Sequence, residues 1–177
     1  MNRSGKGIAA IVDSSQKWSL YNEFAEQAFL KDAYEVAHVL LGLALNEAVS
    51  FGESDSRYIS TIEHLGDVLA ALGNWRGANE HYSKSVEILE RQPEQSPLDL
   101  IPYRKKQAEV LVQLGEYANA ERLLQELIVT LEGVFGKGHD FTAEIEESIA
   151  SIKSKQKSFT SASKLSQKIR TTRSPID

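Results

Sequence analysis

Along most of the chain, apolar residues recur at the three- and four-residue spacing that lays a single stripe along a helix. Ile62, Leu65, Gly66 and Leu69 form one such stripe; after Leu72-Gly73 a second runs through Ala78, Tyr82, Ser85, Val86 and Leu89. Each stripe predicts an amphipathic helix. The glycine between them predicts a left-handed closing residue where the first helix ends, a conformation that costs glycine little. The unit then returns: Leu72-Gly73-Asn74-Trp75-Arg76-Gly77-Ala78 recurs 42 residues later as Leu114-Gly115-Glu116-Tyr117-Ala118-Asn119-Ala120, with glycine, aromatic and alanine in register. An earlier copy, Lys31-Asp32-Ala33-Tyr34-Glu35-Val36-Ala37, keeps the aromatic and the alanine 41 residues upstream but has no turn glycine. Phe51-Gly52 likewise comes back as Phe135-Gly136, 84 residues on. Packing positions are Phe24, Ala25, Ala28, Tyr34, Ala37, Leu41 and Ala44 in the first copy, and Ala108, Leu111, Gly115, Tyr117, Ala120, Leu124 and Leu127 in the third.

A two-helix unit repeated at this period predicts a stack in which each pair buries its apolar face on its neighbours. Three pairs are expected, at about 18–51, 58–91 and 101–134, with a proline-bearing loop from Arg91 to Pro97 between the last two. A capping helix is expected over 142–157, with Ala143, Ile145, Ile149, Ala150 and Ile152 as its stripe and Glu144, Glu146 and Glu147 on its wet face. Residues 1–17 read as an N-terminal extension, a short helix or disordered. Residues 158–177 are rich in Ser, Thr, Lys and Arg, with only Phe159, Leu165, Ile169 and Ile176 apolar. So little burial does not offset ordering, and a basic, disordered tail is expected, in which Leu165 and Ile169 suit a short docking helix.

The Leu-Gly-x-aromatic turns, packing alanines and long period together resemble the tetratricopeptide repeat family. Phe135-Gly136 followed by Gly138-His139-Asp140 is similar to the longer, kinesin-light-chain-type repeat, with Asp140 where that pattern has proline. The resemblance implies an all-α fold, a right-handed α-solenoid of three helix pairs plus a C-terminal capping helix. It also implies that the first helix of each pair lines a concave groove holding a peptide or helix of a partner protein. Carried over residue by residue, that groove comprises Ser19, Asn22, Glu23, Glu26 and Phe29, then Ser60, Glu63, His64, Asp67 and Ala71, then Lys105, Lys106, Glu109, Val112 and Gln113. The family's clamp for chaperone C-terminal carboxylates needs lysines and asparagines where this chain has Asn22, Glu26, Asp67, Pro102 and Lys106. The acids there would repel such a ligand, so a basic or mixed-charge segment is expected.

Composition and charge narrow the functions. The 177 residues include no cysteine, which excludes disulfides, thiolate nucleophiles and cysteine-bearing zinc sites. Residues 148–177 carry seven basic groups against one acid (+6), and the other 147 carry 13 against 24 (−11). An acidic body and acidic inner face argue against a nucleic-acid partner. The longest apolar run near the start, Ile8 to Val12, is too short for a signal peptide or a span, so no membrane partner and a cytoplasmic location are expected. His38, His64, His81 and His139 lack the i, i+4 pairing with Glu of a helical metal site, and Gly5-Lys6-Gly7 and Gly136-Lys137-Gly138 lack the rest of a phosphate loop. No catalytic, cofactor or metal residues are therefore assigned, and a non-enzymatic adaptor or scaffold is expected. The alternative is a self-assembling subunit, pairing through open stack ends or through Trp18, Tyr21 and Phe29. Two further readings concern the termini. The basic tail could occupy the groove, tuned by phosphorylation at sites such as Ser174, and Met1 with non-packing ends suits a complete small protein.

Overall fold

The computed structural model describes residues 13–172; Gly5-Lys6-Gly7, the run Ile8–Val12, Ser174 and Ile176 lie outside them. Seven helices follow in order: α1 Ser14–Phe29, α2 Tyr34–Ala48, α3 Ser56–Ala71, α4 Trp75–Glu90, α5 Ile101–Gln113, α6 Tyr117–Phe135 and α7 Asp140–Thr172. Short 3-10 turns, Val49–Phe51 and Pro97–Leu100, lead into α3 and α5. Each helix packs on the next, giving three antiparallel pairs and an unpaired α7.

The three intra-pair turns close identically. Backbone N–H groups of Ala33, Asn74 and Glu116 donate to the carbonyls of Ala28, Leu69 and Leu111, at 2.9, 2.8 and 2.8 Å. Such a closure needs a left-handed residue, supplied by Gly73 (φ +75°) and Gly115 (φ +77°). In the first copy Asp32 takes the position at φ +56°, and its carboxylate accepts a hydrogen bond from the Tyr34 hydroxyl at 2.6 Å. Asp tolerates this region better than most residues, so the turn survives without glycine.

Small residues set the helix spacing. Ala37, Ala78 and Ala120, the alanines of the three turns, have no exposed surface. Gly66 faces Tyr82, and a Cβ there would stand 2.5 Å from the tyrosine Cε1. Tyr82 packs with Ala78 and with Val110 of the next pair, so the same contact joins the second repeat to the third.

Several expectations need correction. α1 begins at Ser14 rather than within 18–51, because Asp13 and Gln16 form a capping box there. Phe24 is not a core residue; nearly half its surface is exposed. α7 does not end near 157 but continues to Thr172, so residues 158–172 are helical rather than a disordered tail. No glycine or proline interrupts 139–174, so although residues 158–172 are rich in Ser and Thr no breaker stops the ladder there. It gains little burial: residues 157–168 are all exposed, with Tyr117 and Phe159 ring centroids 6.2 Å apart. In α7 the buried stripe is Thr142, Ile145, Ile149 and Ile152, while Ala143 and Ala150 are exposed. Ile145, Ile149 and Ile152 lie 84 residues after Thr61, Leu65 and Val68, which are also buried. Ala150 corresponds to Gly66, whose partner Tyr82 belongs to the following helix; α7 has no following helix, so that face meets solvent.

Candidate functional site

The first helices of the pairs, α1, α3 and α5, and then α7, are tied side by side through polar contacts. Trp18 Nε1–H donates to Thr61 Oγ1 at 2.8 Å and Arg57 to Ser15 Oγ at 3.2 Å, joining α1 to α3. Lys106 Nζ donates to Glu63 at 2.7 Å and to Asp67 at 2.8 Å, joining α5 to α3. Lys105 Nζ meets Glu144 at 2.6 Å, joining α5 to α7.

The α3–α5 bridge is a closed network. Asp67 also accepts from the buried Tyr82 hydroxyl at 2.7 Å, and the Lys106 ammonium lies 5.7 Å from that ring's centroid. Burial opposes the Lys106 charge, but the hydrogen bonds to Asp67 and Glu63 more than offset it and hold its pKa above the ordinary value. Tyr103 is pushed up to about 12 by burial and the Glu63 carboxylate beside it, and Tyr82 is raised by burial and Asp67. The two acids in the middle of the inner face therefore share one cation within the stack.

Two openings flank this network. One of about 280 Å³ lies between α1 and α3, lined by Ala25, Glu26, Phe29, Leu30, Leu41, His64, Asp67 and Val68. The other, about 330 Å³, lies between α5 and α7. Its floor is Ala108, Val112, Leu124, Ile145 and Ile152, and its walls are Lys105, Glu109 and Gln113 on one side and Glu144, Glu147, Ser148, Ser151 and Lys155 on the other. Among the described residues no helix is long and apolar enough to cross a membrane, and no group of three or more His, Asp or Glu side chains is placed to hold a metal.

A family profile described as a tetratricopeptide repeat matches residues 108–140, which run from within α5 to the start of α7. Residues 108–140 thus carry a tetratricopeptide repeat. The match names the repeat without its kinesin-light-chain form. Several solved structures share the fold. The TPR domain of Arabidopsis FLU superposes with a TM-score of 0.60 at 21% identity, covering 68% of this chain and 98% of that one. The type III secretion translocator chaperone SycD of Yersinia enterocolitica gives 0.58 at 21%, covering 82% and 89%. BtubC (BKLC) from P. vanneervenii gives 0.69 at 11%, covering 93% and 68%. No curated protein matches the chain.

Within this helical stack most of the expected groove residues fall into three sets. Glu26, Phe29, His64 and Asp67 come together at the α1–α3 opening. Glu63, Asp67 and Lys106 form the closed bridge, and Lys105, Glu109, Val112 and Gln113 line the α5–α7 opening. Asn22 and Glu23 line neither opening: the Asn22 amide donates to the Trp18 carbonyl at 2.9 Å, and Glu23 is exposed beside Gln27. Trp18, Tyr21 and Phe29 are half-buried rather than an open adhesive patch; Phe29 meets Tyr34 edge-on at 5.2 Å. Sequence reasoning missed the α7 wall. The signal was present: moving Pro102, Lys105, Lys106, Glu109 and Gln113 forward by 42 gives Glu144, Glu147, Ser148, Ser151 and Lys155.

Proposed function

We propose that this chain is a non-catalytic interaction module, an adaptor or scaffold, that holds a basic or mixed-charge segment of a partner protein in the opening between α5 and α7. The observation that carries the reading is the contrast between two sets of acids. Glu63 and Asp67 are both ion-paired with Lys106, whereas Glu109 and Glu147 face an open, apolar-floored opening without an ion pair among the described residues. Lys155 stands at the far end of the same opening, so a segment with a basic side chain followed by an acidic one matches its charges. The repeat fold supports a protein partner, since stacked helices offer an extended inner surface. A tail that folds back into the groove does not suit residues 158–172, because a continuous helix has no turn with which to return over its own N-terminal half.

The test is affinity capture with the intact chain and with Glu109→Lys/Glu147→Lys, followed by calorimetric titration of the captured protein. Loss of the partner by the variant, with an unchanged circular-dichroism melting curve, supports the reading. Equal recovery by both overturns it. Reversing Glu63 and Asp67 would be a poorer test, because it sets new cations against Lys106 and acts on folding.

A second reading, homo-oligomerisation, is favoured by one observation. The outer face of the first pair exposes Leu20, Phe24, Val36 and Leu43, with 41–54% of each residue accessible. Four large apolar residues on the first two helices make an adhesive surface.

A further inference from the structure

Consecutive inner helices meet at α1–α3, α3–α5 and α5–α7, and the first and last of these contacts are filled differently. Trp18 stands seven residues before the buried Ala25, and Ile101 stands seven before the buried Ala108, so they occupy the same position on their helices. Thr61, which accepts the Trp18 N–H at 2.8 Å, corresponds 84 residues on to Ile145. An indole paired with a hydroxyl is thus replaced by two isoleucines. At that second contact lies a cavity of about 400 Å³, walled by Leu98, Ile101, Leu131, Phe135, Phe141 and Ile145. It shares Lys105, Glu144 and Ile145 with the α5–α7 opening, and the Lys105–Glu144 ion pair stands between the two.

We propose that this cavity is an anchor pocket for a phenylalanine side chain of the segment held between α5 and α7, an inference that rests on the groove reading above. Size permits it, since an apolar cavity of about 150 Å³ binds benzene. The walls favour an aromatic guest: the rings of Phe135 and Phe141 meet edge-on with centroids 5.6 Å apart, each with the His139 ring at 4.9 Å, an aromatic cluster that a further ring can join. The internal comparison selects among aromatics. At α1–α3 the indole N–H is satisfied by Thr61, whereas the equivalent position here is Ile145 and the acceptor in the walls, the Glu144 carboxylate, is engaged by Lys105, so phenylalanine, with no donor to place, is the guest that needs no further hydrogen bond. Charge selects the flanks. Glu144 is taken by Lys105, and Glu109 and Glu147, without an ion pair among the described residues, line the rest of the opening. The occupant is a segment in which phenylalanine is followed, about one helical turn away, by lysine or arginine.

The probe is N-acetyl-phenylalaninamide, titrated into the full chain carrying ¹³C-labelled isoleucine and leucine methyl groups. Saturable shifts are expected at Ile101, Leu131 and Ile145 and not at Leu41 or Leu65, with the tyrosinamide analogue roughly tenfold weaker. Ile101→Trp rebuilds the filling of the α1–α3 contact and should abolish the shifts without lowering the melting temperature. Should Ile101→Trp not fold, Phe141→Ser at the exposed rim should weaken the probe roughly tenfold in a chain that melts normally. The absence of saturable shifts in the wild type, or shifts unchanged in Phe141→Ser, overturns the pocket. Because the probe is uncharged, its failure leaves the charge-reversal result at Glu109 and Glu147 standing, and failure of that result leaves the probe's own saturation curve standing.

Discussion

Ala78 and Ala120 have no exposed surface and sit where the two helices of a pair approach most closely. Ala78→Trp or Ala120→Trp should therefore destabilise by at least about 3 kcal/mol, since a packed interior has no room for an indole. A melting curve by circular dichroism equal to that of the wild type would refute the packing. Gly66→Ala tests the same contact more gently. The added Cβ would push the Tyr82 ring away from Asp67, and the cost of about 1–2 kcal/mol should outweigh the helix propensity that alanine brings. At the corner before α3, Asp55 accepts from the Arg57 backbone and guanidinium at 2.8–2.9 Å, and Arg57 Cζ lies 3.5 Å over the Phe51 ring. The Arg57 hydrogen bonds bring the Asp55 carboxyl down to about 2 from 3.8. A depressed folded-state value means stability that is present above the ordinary value and lost as pH falls through 2. Asp55→Asn keeps the helix cap but removes the charge, so its urea midpoint should be flatter than the wild type's between pH 4 and 2. Parallel curves would refute the linkage.

At the scale of the element, what the sequence shows and what it hides divide along physical lines. Turns built on Gly73 and Gly115 are legible because a left-handed residue advertises itself, and the alanines confirm the register. The Asp32 turn is not, since its stabilising partner, the Tyr34 hydroxyl, is visible only once the turn exists. The apolar stripe of α7 predicts a cap, and composition hides its continuation past 157, because that stretch lacks helix breakers but has no burial to announce it. The expected groove residues fall on α1, α3 and α5, yet nothing in the spacing shows that Lys106 reaches back 39 and 43 residues to bridge Asp67 and Glu63. That bridge is itself testable. Lys106→Met leaves two largely buried carboxylates without their cation and should cost about 1–3 kcal/mol. Adding Glu63→Gln and Asp67→Asn should return part of that loss in a mutant cycle. Strict additivity would mean that the bridge carries no coupling energy.

For the whole molecule, the two ends of the stack differ, and the difference dictates how copies could join. Leu20, Phe24, Val36 and Leu43 make the N-terminal end apolar, whereas the corresponding free face of α7 presents Ala143, Glu146, Ala150 and Lys153. An apolar end gains little from a polar one, so head-to-tail growth into a filament is disfavoured, while two N-terminal ends can meet about a two-fold axis and bury each other. Any self-association should therefore stop at a dimer. Light scattering over a concentration series should show the mass rising toward twice 19.7 kDa and no further. Phe24→Asp/Leu43→Asp should hold the chain at one copy without lowering the melting temperature, because both side chains already face solvent in the single chain. A mass that climbs past the dimer would show that the α7 end joins as well. A wild type that stays at one copy throughout would leave the apolar end to a different protein and remove self-assembly as a function of this fold.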